Sequence, residues 1–176
     1  MKKNLIKNEA TVPFWQSKTL VEMSRTEWES LCDGCAKCCL NKFIDDEETD
    51  EETELLPTDH LKTGEEVHYS NIACYLLNEK SCQCSQYDKR TTLVPDCVRL
   101  TQENLADVFF MPPSCTYRRL QEGRGMPSWH PLLHKGKKSA MHKAGMSVRG
   151  KIVKDNDVAL EDFEDYIVSW PLNDLD

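Results

Sequence analysis

Cysteines dominate the residues of this chain that could carry chemistry. The motif C-x-x-C-x-x-C-C is formed by Cys32, Cys35, Cys38 and Cys39. Thiolates are soft ligands that select zinc, copper(I) or iron–sulfur iron, and a C-x-x-C step lets two sulfurs converge on one ion. We therefore interpret all nine cysteines as candidate metal ligands. The other five are Cys74, Cys82, Cys84, Cys97 and Cys115.

The spacing of the thiols predicts more than one metal. Adjacent Cys38 and Cys39 are poorly placed to bind one tetrahedral ion, so they serve two metals or one of them is a bridge. The nine thiols, with His130 and His142 nearby in the chain, suffice for two Cys-rich tetrahedral centres. Each histidine is either a ligand or a hydrogen-bonded structural residue, and the sequence leaves that choice open.

Composition sets the class of protein and its compartment. The chain has 176 residues, a one-domain length, and a net charge of −8, which argues against general binding to nucleic acid or to a membrane. Its first residues are basic but lack an apolar segment behind them, and no apolar run is long enough to span a bilayer. We expect a cytoplasmic protein, and in a reducing cytosol nine cysteines favour metal over disulfides.

The elements that position the cysteines are predicted to be short. Ser24 and Glu27 form a capping box that opens a helix through Leu31, and Gly34 is expected to break it. A strand is predicted across 67–77, followed by a turn at 78–81. The fold class is therefore α+β: a small single domain of short helices and a small antiparallel sheet or hairpin, cross-linked by Cys-rich metal sites.

Two helices are predicted further along the chain. Ser114 can cap one that ends at Gly123, with Cys115 in its first turn, where the helix dipole would lower the pKa of the thiol. Asp157 can cap the last helix, in which Val158 to Ile167 show near-helical apolar spacing and would dock on the core.

The region from Tyr117 to Lys151 is strongly basic. It holds nine lysines and arginines against one acidic residue, Glu122. This 117–151 stretch either complements the acidic segments of the same chain or binds an anionic or protein partner.

Several stretches together resemble the YcgN-like branch of the bacterial YkgJ-type cysteine-cluster family, whose signature is CxxCxxCC. The resemblance is near full length and implies a cytoplasmic, zinc- or iron-chelating protein. The matching stretches are Pro13–Trp15, Lys18–Leu20, Trp28–Cys35, Cys38–Cys39, Ala73–Cys74, Cys82–Ser85, Val94–Val98, Pro112–Cys115, Trp129–Leu132 and His142–Gly150.

The predicted organisation is an N-terminal arm, residues 1–23, and one cysteine-cluster domain, residues 24–176. An acidic segment at 45–65 stands where the family has a short turn, and we interpret it as a solvated, mobile insertion. It touches none of the matching motifs.

Four functions are compatible with these residues. The favoured one is a structural or metal-handling protein with thiolate-rich sites, with zinc the preferred metal and iron the other. The second is an iron–sulfur protein, although no standard ferredoxin spacing is present. The third is an enzyme using Cys115 or His142, although no catalytic motif accompanies them. The fourth is a nucleic-acid or protein adaptor acting through the 117–151 stretch.

Deletion of Asp45 to Glu54 is expected to leave the metal content and the melting temperature nearly unchanged, because a solvated like-charge loop contributes little to a packed core. Elemental analysis and thermal unfolding of the deletion variant test this. A large loss of bound metal would instead show that these carboxylates are ligands.

Overall fold

The computed structural model describes residues 12–44, 67–105 and 110–176. Within these ranges the protein is a small α+β domain of short helices around a small, mainly antiparallel sheet, as predicted from the sequence. The acidic insertion predicted at 45–65 lies outside the described residues, as do residues 1–11 of the N-terminal arm. In the described part of the chain, no helix is both long and apolar enough to cross a membrane.

The helices are short and scattered along the chain. Five in the described ranges are α-helical: α1 (Phe14–Ser17), α2 (Arg25–Ser30), α3 (Arg90–Leu93), α4 (Thr116–Gln121) and α5 (Ser139–Lys143). Seven 3-10 segments lie wholly within the same ranges, at Leu20–Glu22, Lys37–Cys39, Tyr87–Lys89, Pro131–His134, Asp155–Asp157, Leu160–Tyr166 and Trp170–Leu172. Helices of this length are not stable alone in water, so packing and long-range contacts must hold them in place.

The main sheet is built around β2 (Val67–Ala73), which pairs antiparallel with β1 (Leu40–Ile44) and with β6 (Ile167–Val168). It also pairs parallel with β5 (Val153–Lys154), a direction that the sequence did not predict. A separate hairpin joins β3 (Leu77–Asn78) to β4 (Gln83–Cys84) across the predicted turn. Strand β1 begins directly after the first cysteine motif, and β2 ends directly before Cys74, the first of the later cysteines.

Helix α2 begins where the sequence predicted but ends before the first cysteine. The Ser24 hydroxyl accepts the Glu27 N–H and the Glu27 carboxylate accepts the Ser24 N–H, completing the capping box. The backbone then takes left-handed conformations at Gly34 (φ +68°) and Ala36 (φ +64°). No α-helix can continue through such residues, so the cysteine motif forms a folded loop instead of one face of a helix.

The predicted core-docking helix near the C-terminus is wrong. That region forms a 3-10 segment, Leu160–Tyr166, which begins after Ala159 without a side-chain cap, while Asp157 lies in the preceding 3-10 turn. Leu160 is 78% exposed, and Ile167 belongs to β6. The apolar residues are present at near-helical spacing, but the end of this segment pairs with β2 as strand β6 instead of continuing a helix.

The buried side chains form three apolar clusters instead of one large core. The first contains Trp28, Leu31 and Tyr117, and both Phe14 and Trp15 of the N-terminal arm pack against it. The second underlies the sheet around Tyr69 and Ala73, and the third surrounds Trp129 and Met141. Cysteines occur in all three clusters: Cys115 in the first, Cys82 in the second and Cys35 in the third.

The C-terminal tail is fastened to α4 by an ion pair. The Arg119 guanidinium donates to the Asp174 carboxylate at 2.5 Å, and the two side chains are 4% and 14% exposed. Arg119 also donates to the backbone carbonyls of Gly125, Arg124 and Asp176. All three nitrogens of this buried guanidinium therefore donate hydrogen bonds, and these bonds hold α4, the helix that follows Cys115, in place.

Replacing Asp174 by Ala is expected to lower the free energy of unfolding by about 2–4 kcal/mol, because it leaves a buried guanidinium without its carboxylate partner. Denaturant unfolding measures the change. Asp162→Ala, at an exposed carboxylate, is the matched control and should alter stability by less than about 0.5 kcal/mol. Equal effects of the two substitutions would contradict a structural role for the pair.

Candidate metal centre

Four of the nine thiols line one small cavity. Its volume is about 50 Å³, and its cysteines come from two distant segments of the chain: Cys32, Cys35, Cys38 and Cys115. The remaining walls are apolar or short polar side chains, among them Leu31, Asp33, Met111 and Thr116. Cys35 and Cys115 are buried, whereas Cys32 and Cys38 keep some contact with solvent. We refer to this group as the cavity thiols.

The folded loop of the CxxCxxCC motif places three of these thiols. The Asp33 carboxylate accepts the Cys35 N–H at 2.8 Å, and the Cys35 carbonyl accepts the Val148 N–H at 3.1 Å. The left-handed residues at 34 and 36 reverse the chain between successive cysteines. Cys115 reaches the same cavity from the other side as the N-cap of α4.

In the absence of a cation, desolvation favours the protonated form of three of these thiols, those of Cys32, Cys35 and Cys115. Desolvation, followed by the nearby negative charge of Asp33, raises the pKa of Cys32 to about 12 and raises the pKa of Cys35 well above its usual value. The Gly34 and Lys37 N–H groups oppose this, since each hydrogen-bonds the sulfur two residues before it. Donors of this kind stabilise a thiolate once a metal has displaced the proton.

The expected effect of the helix dipole on Cys115 is wrong in sign. The pKa of this thiol is raised, chiefly by desolvation, although the Arg118 and Tyr117 N–H groups at the start of α4 act to lower it. The cap is Cys115 itself, not Ser114, whose hydroxyl accepts a hydrogen bond from the buried Lys37 ammonium at 2.9 Å. A short helix offers too weak a field to overcome burial of the sulfur.

A buried hydroxyl beside the cavity thiols has no hydrogen-bond partner. Thr116 is 1% exposed and lines the cavity, and its Oγ1 is one of the few buried polar atoms left unpaired in the described residues. An unpaired buried hydroxyl is costly, whereas a hydroxyl that donates to a metal-bound thiolate is satisfied. Four sulfurs, inward-facing N–H groups and this hydroxyl fit the donor set of a zinc or iron–sulfur site.

The side chains do not, however, already surround a single point. Among the described residues, no group of three or more Cys, His, Asp or Glu side chains is arranged to hold a metal ion as it stands. The same residues contain no disulfide, and all nine cysteines are free thiols.

A second group of thiols lies on the other side of the motif. Cys39, Cys74, Cys84 and Cys97 are all half-buried. Desolvation raises the pKa of Cys97, and the charges of Cys38, Cys74 and Cys84 add to the effect, which places these sulfurs in one electrostatic neighbourhood. We refer to this group as the rim thiols.

Adjacent Cys38 and Cys39 connect the two groups. A hydrogen bond from the Cys39 thiol lowers the pKa of Cys38 to about 7, and the same bond raises the pKa of Cys39. Cys38 lines the cavity, while Cys39 faces the charges of Cys74 and Cys97.

Cys82 stands apart from both groups. It is 4% exposed within the apolar cluster under the sheet, and its thiol donates to the Glu79 carbonyl at 3.4 Å. Its backbone is left-handed (φ +53°), so the hairpin turn directs it inward while Cys84 follows in the strand. Sequence spacing gives no means of separating these two cysteines.

Both candidate histidines are engaged in hydrogen bonds. His130 is fully buried, with Nε2 3.1 Å from the Leu31 carbonyl, while Nδ1 accepts the Leu132 N–H at 3.1 Å. These contacts use both ring nitrogens and identify Nε2 as the protonated one. His142 is half-buried, with Nδ1 2.7 Å from the Ser147 hydroxyl. These contacts support a structural role for His130, and a ligand role for either histidine stays a prediction.

Much of the basic 117–151 stretch is engaged within the chain itself. Arg118 pairs with Glu122, while Arg119 and Arg124 pair with Asp174. Lys138 donates to the Gly34 carbonyl and Arg149 to that of Lys80. The exposed lysines at 135, 137 and 143 remain on the surface, and binding of an anionic or protein partner there stays a prediction.

The fold and the clustered thiols define a small α+β cysteine-cluster protein. Residues 31–116 match a family model named CxxCxxCC and described as a "putative zinc- or iron-chelating domain". A UPF0260 protein of Shewanella denitrificans is 50% identical over 163 residues, covering 93% of this chain and 99% of that protein.

Further relatives extend this similarity to other bacteria. UPF0260 proteins of Shewanella baltica and Rhizobium johnstonii are 52% and 47% identical, over 93% and 92% of this chain and 99% and 91% of theirs. The protein therefore belongs to the UPF0260 family, and its matched domain supports metal binding. No solved structure matches it significantly. The narrower YcgN-like assignment stays a prediction.

Replacing His130 by Ala is expected to lower the free energy of unfolding by about 2–4 kcal/mol while leaving the metal content of the folded protein unchanged. The substitution opens a cavity and orphans the Leu31 carbonyl and the Leu132 N–H, but removes no ligand. Denaturant unfolding and elemental analysis of the same preparation measure both quantities. The exposed His134→Ala is the control, and metal loss from folded His130→Ala would identify a ligand instead.

Proposed function

We propose that this protein binds zinc or iron through thiolate-rich sites, with zinc the preferred metal, and serves a structural or metal-handling role in the cytoplasm. The observation that carries the proposal is the convergence of the cavity thiols. Three come from the CxxCxxCC loop and the fourth, Cys115, from a helix start more than seventy residues later, yet all four line one cavity of about 50 Å³. The family model supports the same chemistry.

Electrostatics supports a cation as the occupant of this cavity. Neutral thiols whose pKa is raised by desolvation make weak hydrogen bonds and contribute little beyond apolar packing. A divalent ion displaces their protons, and its charge offsets the cost of holding thiolates in a site with low polarity. The N–H groups of Gly34, Lys37 and Tyr117 act to lower the pKa of these sulfurs and so favour the thiolate form.

The size and lining of the cavity favour binding over catalysis. Pockets for organic substrates are roughly 300–1,000 Å³, several times the volume found here. The lining contains no histidine, and Cys115, considered above as a nucleophile, is buried with a raised pKa. A reactive cysteine requires a lowered pKa and access to a substrate. These features support a protein that holds a metal ion rather than one that transforms a substrate.

Binding at this site would also cross-link the fold. The cavity joins the loop after α2 to the start of α4, and both segments also pack in the first apolar cluster. A ligand that joins two distant segments of the folded state, but not of the unfolded state, shifts the folding equilibrium. The bound metal and the stability of the domain should therefore change together.

Replacing Cys35 by Ser is expected to lower the metal content and the melting temperature together, since a neutral hydroxyl is a poor substitute for a thiolate ligand. The matched control is Cys82→Ser, which changes an equally buried thiol in the apolar cluster under the sheet. Protein purified without oxygen is analysed for zinc, iron and acid-labile sulfide, and then unfolded thermally. A colourless zinc protein and a brown iron–sulfur protein are distinguished in the same preparation.

The proposal fails if anaerobically purified wild-type protein contains no stoichiometric metal and takes up neither zinc nor ferrous iron. It also fails if Cys35→Ser retains the full metal content and the native melting temperature. The CxxCxxCC stretch would then be better interpreted as a redox or catalytic element.

A further inference from the structure

The rim thiols are brought together by regular backbone pairing. The Cys39 carbonyl accepts the Cys74 N–H at 3.0 Å, and the next residues, Leu40 and Ala73, are partners in the β1–β2 ladder. The two cysteines therefore lie on opposite sides of one hydrogen bond at the end of the sheet. This arrangement is fixed by strand register and does not depend on any metal.

The β3–β4 hairpin adds Cys84 to the same end of the sheet. Cys84 is the ladder partner of Leu77, and the Leu77 N–H in turn donates to the Cys74 carbonyl at 2.9 Å. The Ser85 N–H donates to the Leu76 carbonyl at 2.8 Å, which closes the hairpin beneath Cys74. The hairpin turn thus brings Cys84 next to a cysteine ten positions earlier in the chain.

Cys97 completes the group from a turn after α3. Its N–H donates to the Val94 carbonyl at 3.0 Å, which closes the turn, and its thiol is half-buried. The sulfurs of Cys38, Cys74 and Cys84 are its electrostatic neighbours. The four half-buried thiols therefore come from the residue before β1, the residue after β2, strand β4 and this turn.

We propose that Cys39, Cys74, Cys84 and Cys97 form a second metal site, distinct from the cavity site, that takes a thiophilic centre of the same class, zinc or iron. The inference rests on the function proposed above and assigns to it a second set of ligands. The peptide bond between Cys38 and Cys39 links the two sites. Cys82 belongs to neither.

Two lysines supply positive charge to this second site. Four thiolates around one divalent ion leave two excess negative charges. The Lys42 ammonium donates to the carbonyls of Leu40 at 2.7 Å and Cys38 at 3.1 Å, and it lies near the sulfurs of Cys38, Cys39 and Cys97. The Lys154 ammonium donates to the carbonyls of Cys74 and Tyr75, both at 3.4 Å, and to that of Leu77. Both lysines are half-buried, and partly desolvated ammonium groups are stabilised by a nearby thiolate centre.

The two sites differ in exposure, which gives them different expected kinetics. The cavity site combines two buried thiols, Cys35 and Cys115, with two exposed ones, Cys32 and Cys38, whereas every member of the second site is half-buried. The two centres therefore present different surroundings to a chelator, and their metals should be removed in separate kinetic phases.

The test counts metal in variants that remove one ligand from one site. Wild-type protein, purified without oxygen, is expected to hold about two metal centres per chain, and Cys97→Ser and Cys115→Ser about one each. Cys82→Ser is the matched control and should keep both. Zinc, iron and acid-labile sulfide are measured, and the metal-free protein is also titrated with Co(II), whose thiolate charge-transfer absorption reports each occupied site.

The outcomes separate this inference from the function on which it rests. One centre in the wild type, lost in Cys115→Ser and kept in Cys97→Ser, overturns the second site and leaves the proposed function intact. Absence of metal from every sample overturns both. Loss of both centres in either folded variant shows one shared cluster and overturns the division into two sites.

A folding failure of Cys97→Ser leaves the inference testable in the wild type. Removal of metal by a chelator is then followed without any substitution. Two phases of equal amplitude support two sites of unequal exposure. A single phase that removes all the metal overturns them. Cys84→Ser, at the half-buried strand β4, repeats the count with a ligand from another element.

Discussion

Burial of sulfur without a compensating charge is the constraint on which the rest of this structure depends. The thiols of Cys32, Cys35 and Cys115 have raised pKa values because they are desolvated, and Asp33 adds negative charge beside them. Such a cluster is tolerated as neutral thiols or as thiolates around a cation, but not as free thiolates. The surrounding N–H groups and the unpaired Thr116 hydroxyl are hydrogen-bond donors that stabilise thiolates, and a bound metal converts the thiols to thiolates.

The two left-handed residues of the first motif decide how the thiols are shared. On a helix, steps of three and four would have placed Cys32, Cys35 and Cys39 on one face. Gly34 and Ala36 instead reverse the chain, and the 3-10 turn Lys37–Cys39 then leads into β1. Cys38 is left at the cavity, and Cys39 continues into the sheet. Successive side chains in a 3-10 turn are rotated by about 120°, so adjacency separates these cysteines instead of joining them.

Some local signals predicted local structure correctly, but none predicted the grouping of the ligands. The Ser24 capping box, the break at Gly34 and the turn between β3 and β4 depend on a few adjacent residues, and the structure confirms each, whereas the strand predicted across 67–77 ends at Ala73. The approach of Cys115 to the cavity depends on packing between distant segments, which spacing does not encode. Burial can also outweigh a local effect: desolvation raises the pKa of Cys115 although this residue stands at the start of a helix. The division between Cys82 and Cys84 follows from the φ angle of one turn residue.

Short elements make long-range cross-links valuable in this fold. No α-helix in the described residues exceeds six residues, and the four strands there other than β1 and β2 have only two residues each, too few to persist alone. The buried apolar side chains are divided among three separate clusters instead of forming one large core. The cavity thiols join the first and third clusters, through Cys115 and Cys35, while the rim thiols join the sheet to the hairpin and to the turn at Cys97. Metal at both places would therefore hold together elements that have little stability of their own, which favours a structural contribution of the metal even where it is also handled or exchanged.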